Sequence, residues 1–193
     1  MLIANFERNF DYNKFFPSHK STLLEYNNTT RASQAIASIY KQIEGHNSVA
    51  IIGTKTLCNY YGTDYYDNSD VIDLYETYLF DVAREKGLPI IGINRGYNLL
   101  ASKLGIDVRT CSDENRHLNF YKNNVYAVNS YHGTVYRSNG YTNDVVNEKG
   151  YSESIYYSGY KCFGVAWNPE LDCPASGIDL FDTLLEKYLG LKR

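Results

Sequence analysis

The stretch L88-P-I-I-G-I-N-R-G-Y-N-L-L-A-S-K-L-G105 decides the fold. "LPIIGIN" is an apolar, β-branched run short enough for a buried strand, and "GYNLLASKLG" continues at helical spacing and stops at Gly105. Between them "GINRG" places Gly92, Asn94 and Gly96 at every second position. A strand that enters a Gly-x-nucleophile-x-Gly turn and leaves as a helix lifts the central side chain clear of the sheet edge. The flanking glycines allow the crowded backbone this needs. The helix start behind the turn offers unpaired N–H groups and positive potential, which suit an anionic intermediate. At the apex, where such chemistry needs a thiol or hydroxyl, stands Asn94.

Outward from this turn, strand and helix alternate. "LIANF" (2–6) and "TLLEY" (22–26) read as short strands. "TTRASQAIASIYKQIEGH" opens with Thr caps and sets Ala35, Ile36, Ile39, Tyr40 and Ile43 at helical spacing. "SVAIIG" (48–53) is a buried-strand run. "TKTLCNYYGTDYYDNS" is a long polar loop of the kind that carries function. "DVIDLYETYLFDVAREKG" is a second amphipathic helix with Ile72, Tyr75, Leu79 and Val82 on one side and Gly87 as its stop. Such alternation predicts right-handed crossovers and a parallel sheet. The second half is β-rich in "NVYAVNSYHGTVY", "DVVNEKGYSESIYYS" and "KCFGVAWNPE", and "GIDLFDTLLEKYLG" closes as a helix. The expectation is a three-layer α/β fold with a mostly parallel central sheet and helices on both faces, formed as one domain over residues 1–193.

Composition narrows the function classes. A net charge of -3 gives no electrostatic footprint for nucleic acid or anionic membrane, and no run is long or apolar enough to span a bilayer. The N-terminal residues lack the basic start and apolar core of a leader, which points to a cytoplasmic protein. Cys58, Cys111, Cys162 and Cys173 show no CxxC spacing, so they read as free thiols with neither disulfide framework nor metal site. No cofactor is implied. The 20 tyrosines fit either a recognition surface or an AT-rich coding bias.

Several segments, in order over residues 48–190, resemble the class I glutamine amidotransferases and especially their γ-glutamyl hydrolase branch. "PIIGINRGYNLL" is similar to that branch's nucleophile pattern, P-[IVL]-x-G-[IV]-C-R-G-x-x-x-[LI]. "IIGTKTLCNYYG" resembles its GGxDVxPxxYG loop, keeping Gly53, Tyr61 and Gly62. Asp73 and Glu76 fall where it carries an RDxxE helix, although both also suit a solvated helix face and are expected to be simple surface charges. "AVNSYHGTVY" is similar to VNSxHHQ, "DVVNE" to DGVVEA, and "FGVAWNPE" to GVQWHPE.

The resemblance implies a flavodoxin-like fold with the site at the C-terminal edge of the strands. It also implies a Cys thiolate that attacks a γ-carbonyl, a His that activates it and an acid that orients the His. On this chain those positions hold Asn94, Asn168 and Glu170. An amide side chain neither attacks as a thiolate does nor exchanges protons as imidazole does. The implied protein is therefore a non-catalytic binding or regulatory subunit with a glutamine or γ-glutamyl pocket, working beside a synthetase or amidoligase partner. The pocket would use Gly53, Thr54, Arg95, Gly96, Ser130, Tyr131 and His132, with backbone N–H groups at Arg95 and at the Gly53–Thr54 turn holding an oxyanion or carboxylate. Asn168 is expected to donate to Glu170, since a buried carboxylate needs a donor. The alternative is an active γ-glutamyl enzyme with a relocated nucleophile, Cys58, paired with His132. Cys162 and Trp167 read as core, His19 and His46 as surface residues, and His117 as open in role. A chance-motif flavodoxin-like module is the third reading, and it requires Asn94, Asn168 and Glu170 to lie apart.

Overall fold

The computed structural model describes residues 1–5, 10–27, 31–53, 69–106, 108–109, 116–129, 134–135 and 144–193. Its central sheet contains β1 (Leu2–Ala4), β2 (Thr22–Leu23), β3 (Val49–Gly53), β4 (Ile90–Asn94), β10 (Ser154–Tyr157) and β11 (Cys162–Val165), in the order β10-β11-β4-β3-β1-β2. All neighbours are parallel except β10, which runs antiparallel to β11 at one edge.

The apolar strand sequences follow from the covering of both faces. Leu2, Ala4, Val49 and Ile51 turn to one side and pack with Ile39 of α2 (Ala32–Gln42), Tyr75 and Leu79 of α3 (Ser69–Glu85) and Leu100 of α4 (Arg95–Lys103). Ile3, Ala50, Ile52, Ile91, Ile93, Phe163 and Val165 turn to the other. There they meet Phe15 of the single turn α1 (Tyr12–Phe15), Phe181 and Leu184 of α5 (Ala175–Leu189), and Trp167. The mixed α/β architecture with a mostly parallel central sheet is as the sequence led us to expect.

Local details differ. The Thr pair expected to cap α2 lies outside the described residues; the helix begins at Ala32, with Arg31 at the cap position and no side-chain cap bond. "DENRHLNFY", not foreseen as a strand, supplies β6 (Arg116–Tyr121). It pairs antiparallel with β7 (Asn124–Asn129) and β9 (Val145–Asn147) as a three-stranded sheet, with Tyr121, Val128 and Val145 facing the second core. The remaining pair is β5 (Val108–Arg109) with β8 (Thr134–Val135). Beyond the edge strand β2, Glu25 donates its backbone N–H to Gln42 Oε1 (2.7 Å) and accepts from Gln42 Nε2 (3.0 Å), so one side-chain amide takes the place of a neighbouring strand.

Register fixes the site. Gly53 pairs with Asn94 and Val165 with Ile93, so β3, β4 and β11 end level at the C-terminal edge. The turn after β4 and the segment after β11 therefore emerge side by side.

Candidate functional site

Asn94 is the last residue of β4, and α4 starts at once with Arg95. The turn leaves Asn94 at φ 50° and ψ -98°, outside the ordinary left-handed basin. Such a backbone costs on the order of 1–3 kcal/mol and persists only where its surroundings hold it. The surroundings are two close approaches. A Cβ on Gly96 would strike the backbone carbonyl of Ile51, and one on Gly92 would lie 2.7 Å from the backbone of Gly96. Only glycine lets α4 lie this near to β3 and β4.

A chain of side chains runs from the turn. Asn94 Nδ2 donates to Asn168 Oδ1 at 2.5 Å, and Asn168 Nδ2 donates to Glu170 Oε1 at 2.7 Å. Exposures of 2%, 0% and 6% place all three away from water. Asn168 is pinned through its main chain as well: its N–H donates to Asn129 Oδ1 (2.9 Å), and Asn129 Nδ2 donates to its carbonyl (2.8 Å) and to that of Leu171. Asn129 was not singled out in the sequence. Its signal was its place at the end of β7, directly before the Ser130–Tyr131–His132 segment. Asn98 was also missed. It lies one helical turn beyond Asn94 and is buried, and among the described residues its Oδ1 has no hydrogen-bond partner.

The other side of the turn corrects the reading of Asp73 and Glu76. They are not surface charges: they are 4% and 0% exposed. Arg95 Nε donates to Glu76 Oε2 at 2.7 Å and Arg95 Nη2 to Asp73 Oδ1. Three residues apart on α3, the two carboxylates share one helix face, and that face looks at the start of α4. Burial pushes the Glu76 carboxyl up to about 7, against the pull of Arg95. The Arg95 side chain thus turns toward α3, and its Cδ would sit 3.1 Å from a Cβ on Gly53, so its stem lies over the end of β3.

Thr54, Cys58, Ser130, Tyr131 and His132 lie outside the described residues, as do Tyr61, Gly62 and Cys111. The thiols that are described suit no nucleophile: burial pushes Cys162 up to about 12 and Cys173 up to about 11. Cys162 and Trp167 are core residues. His19 and His46, expected at the surface, are half-buried and line one cavity with Met1, Thr22 and Asn47. His117 stands 3.4 Å from the buried Glu153, on the inner side of β6. Among the described residues, no cluster of three or more His, Cys, Asp or Glu side chains is placed to hold a metal, and no helix is long and apolar enough to cross a membrane.

Chemically, Asn94 and Asn168 supply neutral donors and acceptors, and Glu170 an acid that already accepts from Asn168. That set can orient and bind; it holds neither thiol nor imidazole. The adjacency of the three residues also removes the chance-motif reading, which required them to lie apart.

No protein-family model and no curated protein sequence matches the chain. Solved structures do. A glutamine amidotransferase from Thermotoga maritima aligns over 98% of this chain and 87% of its own at 17% identity, with a TM-score of 0.61. A glutamine amidotransferase from Methylobacillus flagellatus aligns over 95% and 74% at 12% identity, with a TM-score of 0.59. At these identities the likeness is one of backbone, and it assigns the chain the glutamine amidotransferase-like fold.

Proposed function

We propose that this protein is a γ-glutamyl hydrolase-like relative of the class I glutamine amidotransferases in which Asn94 and Asn168 replace the Cys–His pair, and that it acts as a non-catalytic binding or regulatory subunit. One observation supports the reading: Asn94 at the turn after β4 is joined to Asn168 and Glu170, in the segment after β11, by one buried chain of hydrogen bonds, as a nucleophile, base and orienting acid would be. Loss of one member of such a unit lowers rates by up to about a millionfold. With amides at two positions, no thioester route remains through them. The pocket beside Asn94 then serves glutamine or a γ-glutamyl small molecule as a ligand, and a synthetase or amidoligase is the partner class such a subunit would serve in the cytoplasm.

The deciding assay measures ammonia and glutamate release from glutamine and γ-glutamyl amides, with calorimetric binding of glutamine alongside. The native chain is compared with an Asn94→Cys/Asn168→His double variant. Binding without turnover by the native chain, with turnover by the double variant, is the expected result. Native turnover would overturn the proposal. If Cys58→Ser then abolished that turnover, the relocated-nucleophile alternative would take its place.

A further inference from the structure

The edge of the central sheet opposite the elbow carries a cleft of about 460 Å³, a size within the range of small-molecule sites. It opens where parallel strands begin: Met1 precedes β1, Thr22 starts β2, and Asn47 stands just before β3. Its wall is polar and of one sign. The ionisable groups that line it are the Met1 amino group, His19, Lys20 and His46, and no carboxylate is among the described residues of the wall. The chain as a whole is acidic, with a net charge of -3. Two of the four basic groups are engaged. The Met1 amino group donates to the Lys20 carbonyl at 2.8 Å. His19 Nε2 lies 2.9 Å from the Lys192 carbonyl, an acceptor, so this nitrogen carries the hydrogen. Lys20 Nζ and the His46 ring form no hydrogen bond or ion pair with any described residue. Burial, and after it the charge of the Met1 amino group, hold the His46 imidazole below its ordinary value.

Basic groups gathered around one cleft repel one another, and an anion shared between them relieves this. We propose that the cleft binds a small oxyanion, a phosphate or carboxylate group, between Lys20 and His46. The ammonium offers three donors and the imidazolium two, which suits a group with several acceptor oxygens. Neutral donors complete the set. The Thr22 hydroxyl is one, and the Asn47 amide is another: its oxygen accepts from the Ser48 hydroxyl at 3.3 Å, which leaves its NH2 group to donate. The competing role for these cations is structural. α2 ends at Gln42, and the His46 N–H donates to the Ile43 carbonyl at 3.2 Å, so the negative end of that helix lies close to His46. The proposed site stands at the far edge of the sheet from Asn94 and does not depend on the binding reading above.

The test uses the full chain, labelled with 13C, and inorganic phosphate, with acetate as a second arm and sodium chloride holding the ionic strength constant. The ring C–H resonances of the histidines are followed between about pH 5 and 8.5. In phosphate the His46 midpoint should rise by about 1 pH unit over its value in chloride, because a bound anion favours the protonated ring. His117, which does not line the cleft, should keep its midpoint. Lys20→Met should weaken phosphate binding, read from the same His46 shifts, by about tenfold. Lys20 is exposed, so this variant leaves the core untouched. A response to phosphate alone would assign the site to phosphate groups, and a response to both anions would extend it to carboxylates. Equal His46 midpoints in phosphate, acetate and chloride would overturn the proposal and leave the two cations to the end of α2. A phosphate response unchanged in Lys20→Met would overturn it as well.

Discussion

Two polar clusters meet at the peptide between Asn94 and Arg95, and they are made on different terms. On one side, Asn94, Asn168, Glu170 and Asn129 form a chain in which three of the four side chains are neutral amides and each link is a short hydrogen bond. On the other, Arg95, Asp73 and Glu76 hold three formal charges at the same depth. Amides lose modest solvation when buried and recover it bond for bond. Ions lose far more and depend on the balance of charge around them. The amide side sets a shape that persists across pH, whereas the ionic side is conditional. A turn gripped by one of each can be both fixed and adjustable.

The contrast can be broken most directly at Arg95. Arg95→Met strands two buried carboxylates and should lower stability at pH 8 by about 3–5 kcal/mol in a urea titration. At about pH 5 the Glu76 carboxyl, already raised by burial, takes a proton, so the deficit should shrink. Equal, small losses at both values would mean that the cluster is not dry.

Next in size is the pH response of the native protein relative to Glu76→Gln. The folded-state carboxyl at about 7 lies above its ordinary 4.5, so the folded chain binds the proton more tightly than the unfolded chain does. Stability from this group is therefore full below about 4.5, falls as pH rises to about 7, and is level above. The native-minus-variant difference should amount to about 3 kcal/mol over that window. A difference that grew with pH would reverse the sign and refute the assignment.

On the amide side the effects are smaller and flat. Asn168→Ala removes the acceptor for Asn94 and the donor for Glu170, and should cost about 1–3 kcal/mol alike at pH 6 and 8, read as a shift in urea midpoint. Smallest of all is Asn94→Gly. It gives up a hydrogen bond of about 1 kcal/mol but relieves the backbone at φ 50°, so the net change should stay within about 1 kcal/mol. A large loss there would show that the side chain, not the glycines around it, holds the turn.

Much of this was legible beforehand because it is local. Apolar runs such as "SVAIIG" and "LPIIGIN", flanked by 3.6-period helices, declare buried parallel strands, and "GINRG" declares the turn between strand and helix. Asp73 and Glu76 were misread for the opposite reason. Three residues apart on a helix, they satisfy the pattern of a solvated face, and the cation that buries them is 19 and 22 residues further along the chain. Periodicity along one helix carries no record of what another brings to it. Asn129 escaped because an Asn at a strand end usually reads as turn chemistry. Here its side chain spans 39 residues to clamp the backbone of Asn168. β6 escaped because its polar inner residues, His117 and Asn119, hide the alternation that marks a strand.

The Gln42 amide that engages both backbone groups of Glu25 has a consequence for how this chain behaves in a crowd. An open sheet edge is a template on which another extended chain can grow, the first step toward intermolecular β-aggregation. By answering one donor and one acceptor just past β2, Gln42 withdraws that template where the edge strand would otherwise be prolonged. At that end of the sheet a single side chain stands against self-templating. Gln42→Ala should raise its propensity to aggregate on heating, seen by light scattering, with little change in the temperature at which it unfolds.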